Sequence, residues 1–264
     1  MHELRIGDGS LEAVLLPDAG ARLHRLRAFG HDLLRTPSDP AAHLRDPFIW
    51  GDYVMAPWCN RIAAGDKAAR DRTVRLAPSF PDGSAIHGQV HAIPWSVTGA
   101  ASCSVRAGGD GWPWPYEVTL SAEALDTSLT LRWRRPIQLK VDAALAYASN
   151  VAPMPEPESV ADAMDLRTLA APADGLDGTW TDASLGPVEL AWPELEVRAT
   201  IMAPASARYV AVATPPDMDA IAVEPQTHAP DGLRRLLDGR LDGLAWLPTG
   251  ESLALDLRIL VGRG

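Results

Sequence analysis

The chain has 264 residues with 24 Lys plus Arg against 34 Asp plus Glu, a formal charge of −10 that leaves no basic face to displace counterions from nucleic acid. Its 47% apolar and 22% charged residues are those of a globular protein, and the length fits one domain over residues 1–264. No apolar run approaches the roughly 20 residues needed to span a bilayer. The start, Met1-His2-Glu3-Leu4-Arg5, lacks the order of a signal peptide, and Cys59 and Cys103 make neither a disulfide framework nor a metal-ligand spacing, so a reduced cytoplasmic protein is expected.

Period-two alternation predicts strands at Leu11–Leu16 and Leu23–Phe29, separated by the turn Pro17-Asp18-Ala19-Gly20. A short helix is expected over Pro40–Arg45, then strands at Thr73–Leu76, Ile93–Thr98, Tyr116–Ala124 and Ser128–Arg134. The last alternates Leu129, Leu131 and Trp133 with polar residues, the pattern of a strand with one wet face. The stretch from Asn150 to Gly186, rich in Pro, Ala, Asp and Gly, reads as a long surface segment inside the same domain. Beyond it, strands are predicted at Val188–Trp192, Leu195–Met202, Tyr209–Thr214 and Ala220–Val223. A helix follows over Asp231–Leu237, with Asp231 as its N-cap. Many short strands with Gly/Pro turns, little helix and no fixed-period repeat point to an all-β fold, a large antiparallel β-sandwich.

Three places could carry chemistry. In Trp58-Cys59-Asn60-Arg61-Ile62, an amide and a five-donor fork stand side by side after Pro57, a pair suited either to vicinal sugar hydroxyls or to tying two loops through carbonyls. In Ile86-His87-Gly88, the glycine permits close backbone approach and leaves one side of the imidazole open. His91 lies four residues on, but no third ligand stands at a metal-site spacing. In Val223-Glu224-Pro225-Gln226-Thr227-His228, an apolar strand ends on a carboxylate followed by proline. Such a Glu is either a general base held against an apolar wall or a solvated strand terminus. Nine Trp against three Phe suit core packing first and sugar stacking second.

Taken in order, Pro57-Trp-Cys-Asn-Arg-Ile62, Ala85-Ile-His-Gly88, Trp95, Ser149-Asn-Val-Ala-Pro-Met-Pro155, Val223-Glu-Pro-Gln-Thr-His-Ala-Pro230 and Leu247-Pro-Thr-Gly-Glu-Ser252 resemble the aldose 1-epimerase (galactose mutarotase) family. The resemblance implies a β-supersandwich with a groove on one sheet, and an isomerase that interconverts α and β anomers of a hexose without cofactor or metal. It makes Glu224 the base, His87 the acid or oxygen donor, and Arg61 and Asp177 groups that hold sugar hydroxyls, with Asn60 expected beside Arg61 from the Asn-Arg pair itself. Asp177, in Gly175-Leu-Asp-Gly-Thr-Trp180, reads equally as an Asx-turn residue. The chain departs from the family after Met154-Pro155. The second histidine expected there is absent, since no His stands between His91 and His228. A carbohydrate-binding protein of the same fold is therefore the alternative, as monomer or homodimer, with a monosaccharide and neither nucleic acid nor membrane as partner.

Overall fold

The computed structural model describes residues 1–8, 10–48, 51–123, 132–133, 137–147, 150, 152, 156–182 and 185–264, with the backbone alone for 8, 132 and 133. Antiparallel strands dominate it, and they pack as a β-sandwich. One sheet of six strands runs Arg132–Trp133, Ile221–Gln226, Tyr209–Ala213, Asp177–Thr181, Leu145–Tyr147 and Glu158–Ser159 in spatial order. A second sheet orders Gln138–Lys140, Val188–Trp192, Val197–Met202 and Arg258–Arg263. Alternation fixes which face of each strand is buried. Val197, Ala199 and Ile201 point inward with Ile259 and Val261, while Val210, Val212, Ile221 and Val223 come from the other sheet. All join one apolar core with Leu11, Leu15, Leu23 and Leu26 from the sheet formed by Leu4–Asp8, Leu11–Leu16, Arg22–Ala28 and His31–Asp32.

A second, smaller core lies beside the first, built from Trp58, Ile62, Val74, Leu76, Ala85, Trp112 and Leu233. Much of the tryptophan excess serves packing. Trp58, Trp95, Trp112, Trp180 and Trp192 are buried, and Trp58, Trp112, Trp114 and Trp246 form a ladder with successive ring centroids 5.3, 5.6 and 5.1 Å apart.

Several expected boundaries move for identifiable reasons. The strand expected from Ile93 begins at Ser96, because Pro94 has no N–H for a ladder and the Trp95 N–H turns to the Pro17 carbonyl. The strand expected from Leu195 begins at Val197, after a 3₁₀ turn over Pro193–Leu195 and a left-handed Glu196. The stretch read as a surface segment contains the strand Asp177–Thr181, and its Trp180 is fully buried between two paired strands. Asp231 stands at the N-cap of the helix Gly232–Leu237 but does not cap it. At φ +57° its carboxylate turns instead to Arg234 Nε (2.7 Å) and the Ala63 N–H (3.4 Å). Of the strand expected at Ser128–Arg134, only Arg132–Trp133 falls among the described residues, where it pairs with Ile221 and Ala222. In Ser149–Pro155 only Asn150 and Ala152 do.

Candidate active site

The strand bearing Glu224 continues through Pro225 to Gln226, three residues beyond the Val223 that the sequence pattern indicated. Its inner side chains, Ile221 and Val223, enter the core, so Ala222, Glu224 and Gln226 face the other way. Directly opposed residues of an antiparallel pair share a face. The register Glu224↔Ala211↔Thr179↔Tyr147 and Gln226↔Tyr209↔Thr181 therefore puts all of these on the outer face, and Asp177, opposite Ala213, is there too. Glu224 and Asp177 thus share one sheet surface despite standing 47 positions apart in sequence.

A second set of elements is held over that surface by backbone contacts. The Cys59 N–H donates to His228 Nε2 (3.2 Å), and the Asp231 N–H donates to the Arg61 carbonyl (2.8 Å). The segment 59–61 is thereby docked onto the loop that leaves the Glu224 strand. Burial, followed by the charge of Glu224, pushes the Cys59 thiol far above its usual range, which places the carboxylate within electrostatic reach of this segment. Cys59 and Cys103 are both free and buried.

On its other side the segment holds His87, whose N–H donates to the Asn60 carbonyl (3.1 Å). Both residues are left-handed, at φ +55° for Asn60 and +59° for His87. The next residue must be glycine. At φ +71°, a Cβ on Gly88 would run into the Ala56 carbonyl, the same oxygen that accepts the Gln89 N–H at 2.7 Å.

Arg61 spans the two halves. Its Nε donates to Asp82 Oδ2 (2.8 Å), Nη1 to the Asn150 carbonyl (3.3 Å), and Nη2 lies 3.4 Å from Asp177 Oδ2. The guanidinium also stands 4.9 Å over the Phe80 ring. Asn150 Nδ2 donates to Asp177 Oδ1 (2.9 Å) while its Oδ1 accepts from Thr179 Oγ1 (2.7 Å), so the Asp177 carboxylate is held between Asn150 and Arg61. Burial raises the Asp82 carboxyl, but the Ser84 hydroxyl and N–H together with Arg61 outweigh it and leave it below the ordinary value. Asn60 Oδ1 accepts the Arg61 N–H (2.7 Å), leaving its NH₂ as the end that can donate to a ligand.

Around His87 stands an aromatic wall. The Tyr53 ring is 5.7 Å from His87 and 5.6 Å from His91, and Phe48 is 6.1 Å and 5.2 Å from the same two. Buried Arg22 braces this wall. Its guanidinium sits 4.4 Å over Tyr53, and Nη2 donates to the carbonyls of Pro47 (2.7 Å) and His91 (3.1 Å).

Neither other imidazole near the site resembles an open acid. His91 directs Nδ1 at the His87 carbonyl (3.2 Å). His228 donates from Nδ1 to the Ala229 carbonyl (2.8 Å) and accepts at Nε2 from Cys59, so both ring nitrogens hold backbone. Among the described residues no three His, Cys, Asp or Glu side chains converge as a metal would require.

All five residues singled out from sequence thus belong to one neighbourhood. Asp82, Asn150, Gln226 and the Phe48/Tyr53 wall were not among them. Asp82 carried only a turn signal, and Asn150 opened a stretch that read as surface.

The family described as aldose 1-epimerase matches residues 2–134, half of the chain, a span that includes Arg61 and His87 and ends before Asp177 and Glu224. A search of curated proteins finds no match. Among solved structures, a galactose mutarotase-like protein of Clostridium acetobutylicum is similar at 14% identity and a TM-score of 0.79, over 98% of this chain and 95% of that one. A GalM/aldose epimerase homologue from C. elegans is similar at 16% identity and a TM-score of 0.77, over 99% of each chain. These likenesses show that the antiparallel sandwich is the galactose mutarotase-like fold, and with the family match they place the chain in the aldose 1-epimerase family.

Proposed function

We propose that the protein interconverts the α and β anomers of an unphosphorylated hexose by acid/base ring opening and reclosure. One observation carries this reading. The Asn60–Arg61 segment is hydrogen-bonded to His87 on one side and to the loop after Glu224 on the other, while Arg61 reaches Asp177 on the Glu224 face of the sheet. The proposed base, the proposed acid and the proposed hydroxyl-binding fork are thereby linked through one segment.

In the proposed reaction Glu224 takes the proton of the C1 hydroxyl, the freed electron pair forms the C1=O bond, and the bond from C1 to the ring oxygen breaks. The ring oxygen takes a proton from His87 or from water. Rotation about C1–C2 presents the other carbonyl face, and the same steps in reverse close the ring and restore both groups. Nothing is oxidised, so the cycle needs no cofactor. Arg61, Asn60 and Asp177 hold the hydroxyls. With Asp82 and Asp177 flanking it, Arg61 meets the substrate as a neutralised fork, which suits hydroxyls better than a phosphate. The two free buried thiols suit a reducing compartment such as the cytoplasm.

The absence of any histidine between His91 and His228 favours a second reading, a groove that binds sugar with little turnover. Polarimetry on freshly dissolved α-glucose and α-galactose separates the two. Anomer interconversion above background is expected, and Glu224→Gln should lower it by about 10²–10⁴, the usual worth of a general base. Sugar-dependent quenching of Trp fluorescence without turnover would establish the second reading. Equal rates in the two proteins would remove Glu224 as the base.

A further inference from the structure

The sheet face that bears Glu224 also holds a buried amide that the proposed reaction leaves unused. Gln226 lies two residues beyond Glu224 on the same strand, hence on the same face, and its side chain is only 1% exposed. Its Nε2 donates to Glu224 Oε2 at 3.3 Å. Its Oε1 is buried and has no hydrogen-bond partner among the described residues. A half-turn of the amide would exchange the two ends, since the terminal torsion of Gln is nearly two-fold. It would also set a carbonyl oxygen against the Glu224 oxygen. A buried acceptor left unsatisfied is unfavourable, so the observed orientation is maintained by what its other end gains, a charge-assisted bond to an ionised carboxylate.

We infer that Gln226 is a positioning residue for the proposed base: its buried amide donates to Glu224, fixes the direction of the carboxylate and favours its ionised form. This rests on the reading of Glu224 as the base, but the hydrogen bond itself can be tested without it. Among the described residues, the titratable and charged groups around the proposed site come from several elements, His87 on the turn beside Asn60 among them. Cys59 comes from the docked segment and Tyr209 from the neighbouring strand, directly opposite Gln226. His228 lies two residues on, and Arg61 and Asp177 stand further along the same face. On the other neighbouring strand, Arg132 occupies the register position opposite Ala222. Cys59 and His228 are both held neutral by burial, so neither supplies the positive charge that would keep Glu224 ionised.

The test is a ¹³C NMR titration of Glu carboxyl carbons in full-length protein, with the Glu224 resonance assigned by its loss in Glu224→Gln. In Gln226→Met, which keeps the length but not the donor, the Glu224 midpoint should rise by about one pH unit, a tenfold gain in proton affinity. In Gln226→Glu it should rise further, because two carboxylates at this distance resist joint ionisation. Circular dichroism of each variant establishes that the fold persists. Where polarimetry detects turnover, the acid limb of its pH profile should move by the same amount as the titration, with kcat reduced more than KM is changed. A Glu224 titration that coincides in wild type and both folded variants overturns the inference. A shifted titration in a protein without turnover upholds the inference while the enzymatic reading fails.

Discussion

His228 stands four residues beyond the proposed base and lies within hydrogen-bond reach of a backbone N–H, yet the chemistry of its ring is fixed. Nδ1 faces a carbonyl and so carries the hydrogen, leaving Nε2 as acceptor for Cys59. Protonating Nε2 would break the bond that docks the segment 59–61. Burial brings the His228 pKa down to about 4, and burial with Arg22 and His24 brings His43 to about 3. In a folded protein whose histidine pKa lies below its unfolded value, the unfolded chain binds more protons across the interval between them. The stabilisation is complete above about 6.5, the ordinary histidine value, and is lost as pH falls toward 4. His228 alone should contribute on the order of 3 kcal/mol to that loss, by the free energy of one pKa unit. Urea denaturation at a series of pH values should therefore show stability falling between pH 6.5 and 4, with a shallower fall in His228→Gln. Stability that is flat across this window would mean that the imidazole takes up its proton without losing its place.

The turn Ile86–Gln89 is the element on which the imidazole of His87 depends, and its geometry is dictated by Gly88. Replacing Gly88 by Ala would combine a strained left-handed backbone with collision against the Ala56 carbonyl, which cannot move aside as a flexible side chain could. Gly83 offers the comparison, since it is also left-handed at φ +85° but nothing lies within 4 Å of the place its Cβ would take. Urea unfolding should show a loss of about 1 kcal/mol for Gly83→Ala, from conformation alone, and clearly more for Gly88→Ala. Equal losses would contradict the close approach. His-Gly was readable in the sequence as a place of close approach, though the oxygen it approaches, 32 residues away, was not. Elements with clean alternation were equally readable. Val188–Trp192 lies where its pattern indicated, because each inward residue faces one continuous core. Asp177–Thr181 escaped notice because only five residues of strand are set among Gly, Pro and Ala, and its burial comes from neighbours on both sides rather than from its own apolar content. Asp82 and Asn150 meet Arg61 only through the fold, since a turn Asp and a loop Asn carry no signal of that partner.

At the scale of the whole molecule, the two apolar cores raise the question of whether the chain unfolds in one step. The main core draws on both termini, with Leu4 and Ile6 packed in the same cluster as Ile259 and Val261. The smaller core, with Trp58 and Trp112, could in principle open by itself, as locally stable units often do. What joins them is the segment from His228 to Arg235. His228 and Asp231 hold Cys59, Arg61 and Ala63, and Leu233 packs within the smaller core. Arg235 pairs with Asp242 and lies 5.0 Å over Tyr147, a residue of the six-stranded sheet. Buried Asp231 and Arg235 hold strands of both cores, through Ala63 and Arg61 on one side and Tyr147 on the other, so opening either core breaks contacts of the other. The expected outcome is one cooperative transition over residues 1–264. Far-UV circular dichroism follows both sheets. The fluorescence of Trp58, Trp112, Trp114 and Trp246 reports on the smaller core when the five other tryptophans, Trp50, Trp95, Trp133, Trp180 and Trp192, are replaced by Phe. Coincident urea midpoints would establish a single unit. If the tryptophan signal changes at a lower urea concentration than the circular dichroism, the chain unfolds in two units, and the proposed groove would come apart before the sandwich does.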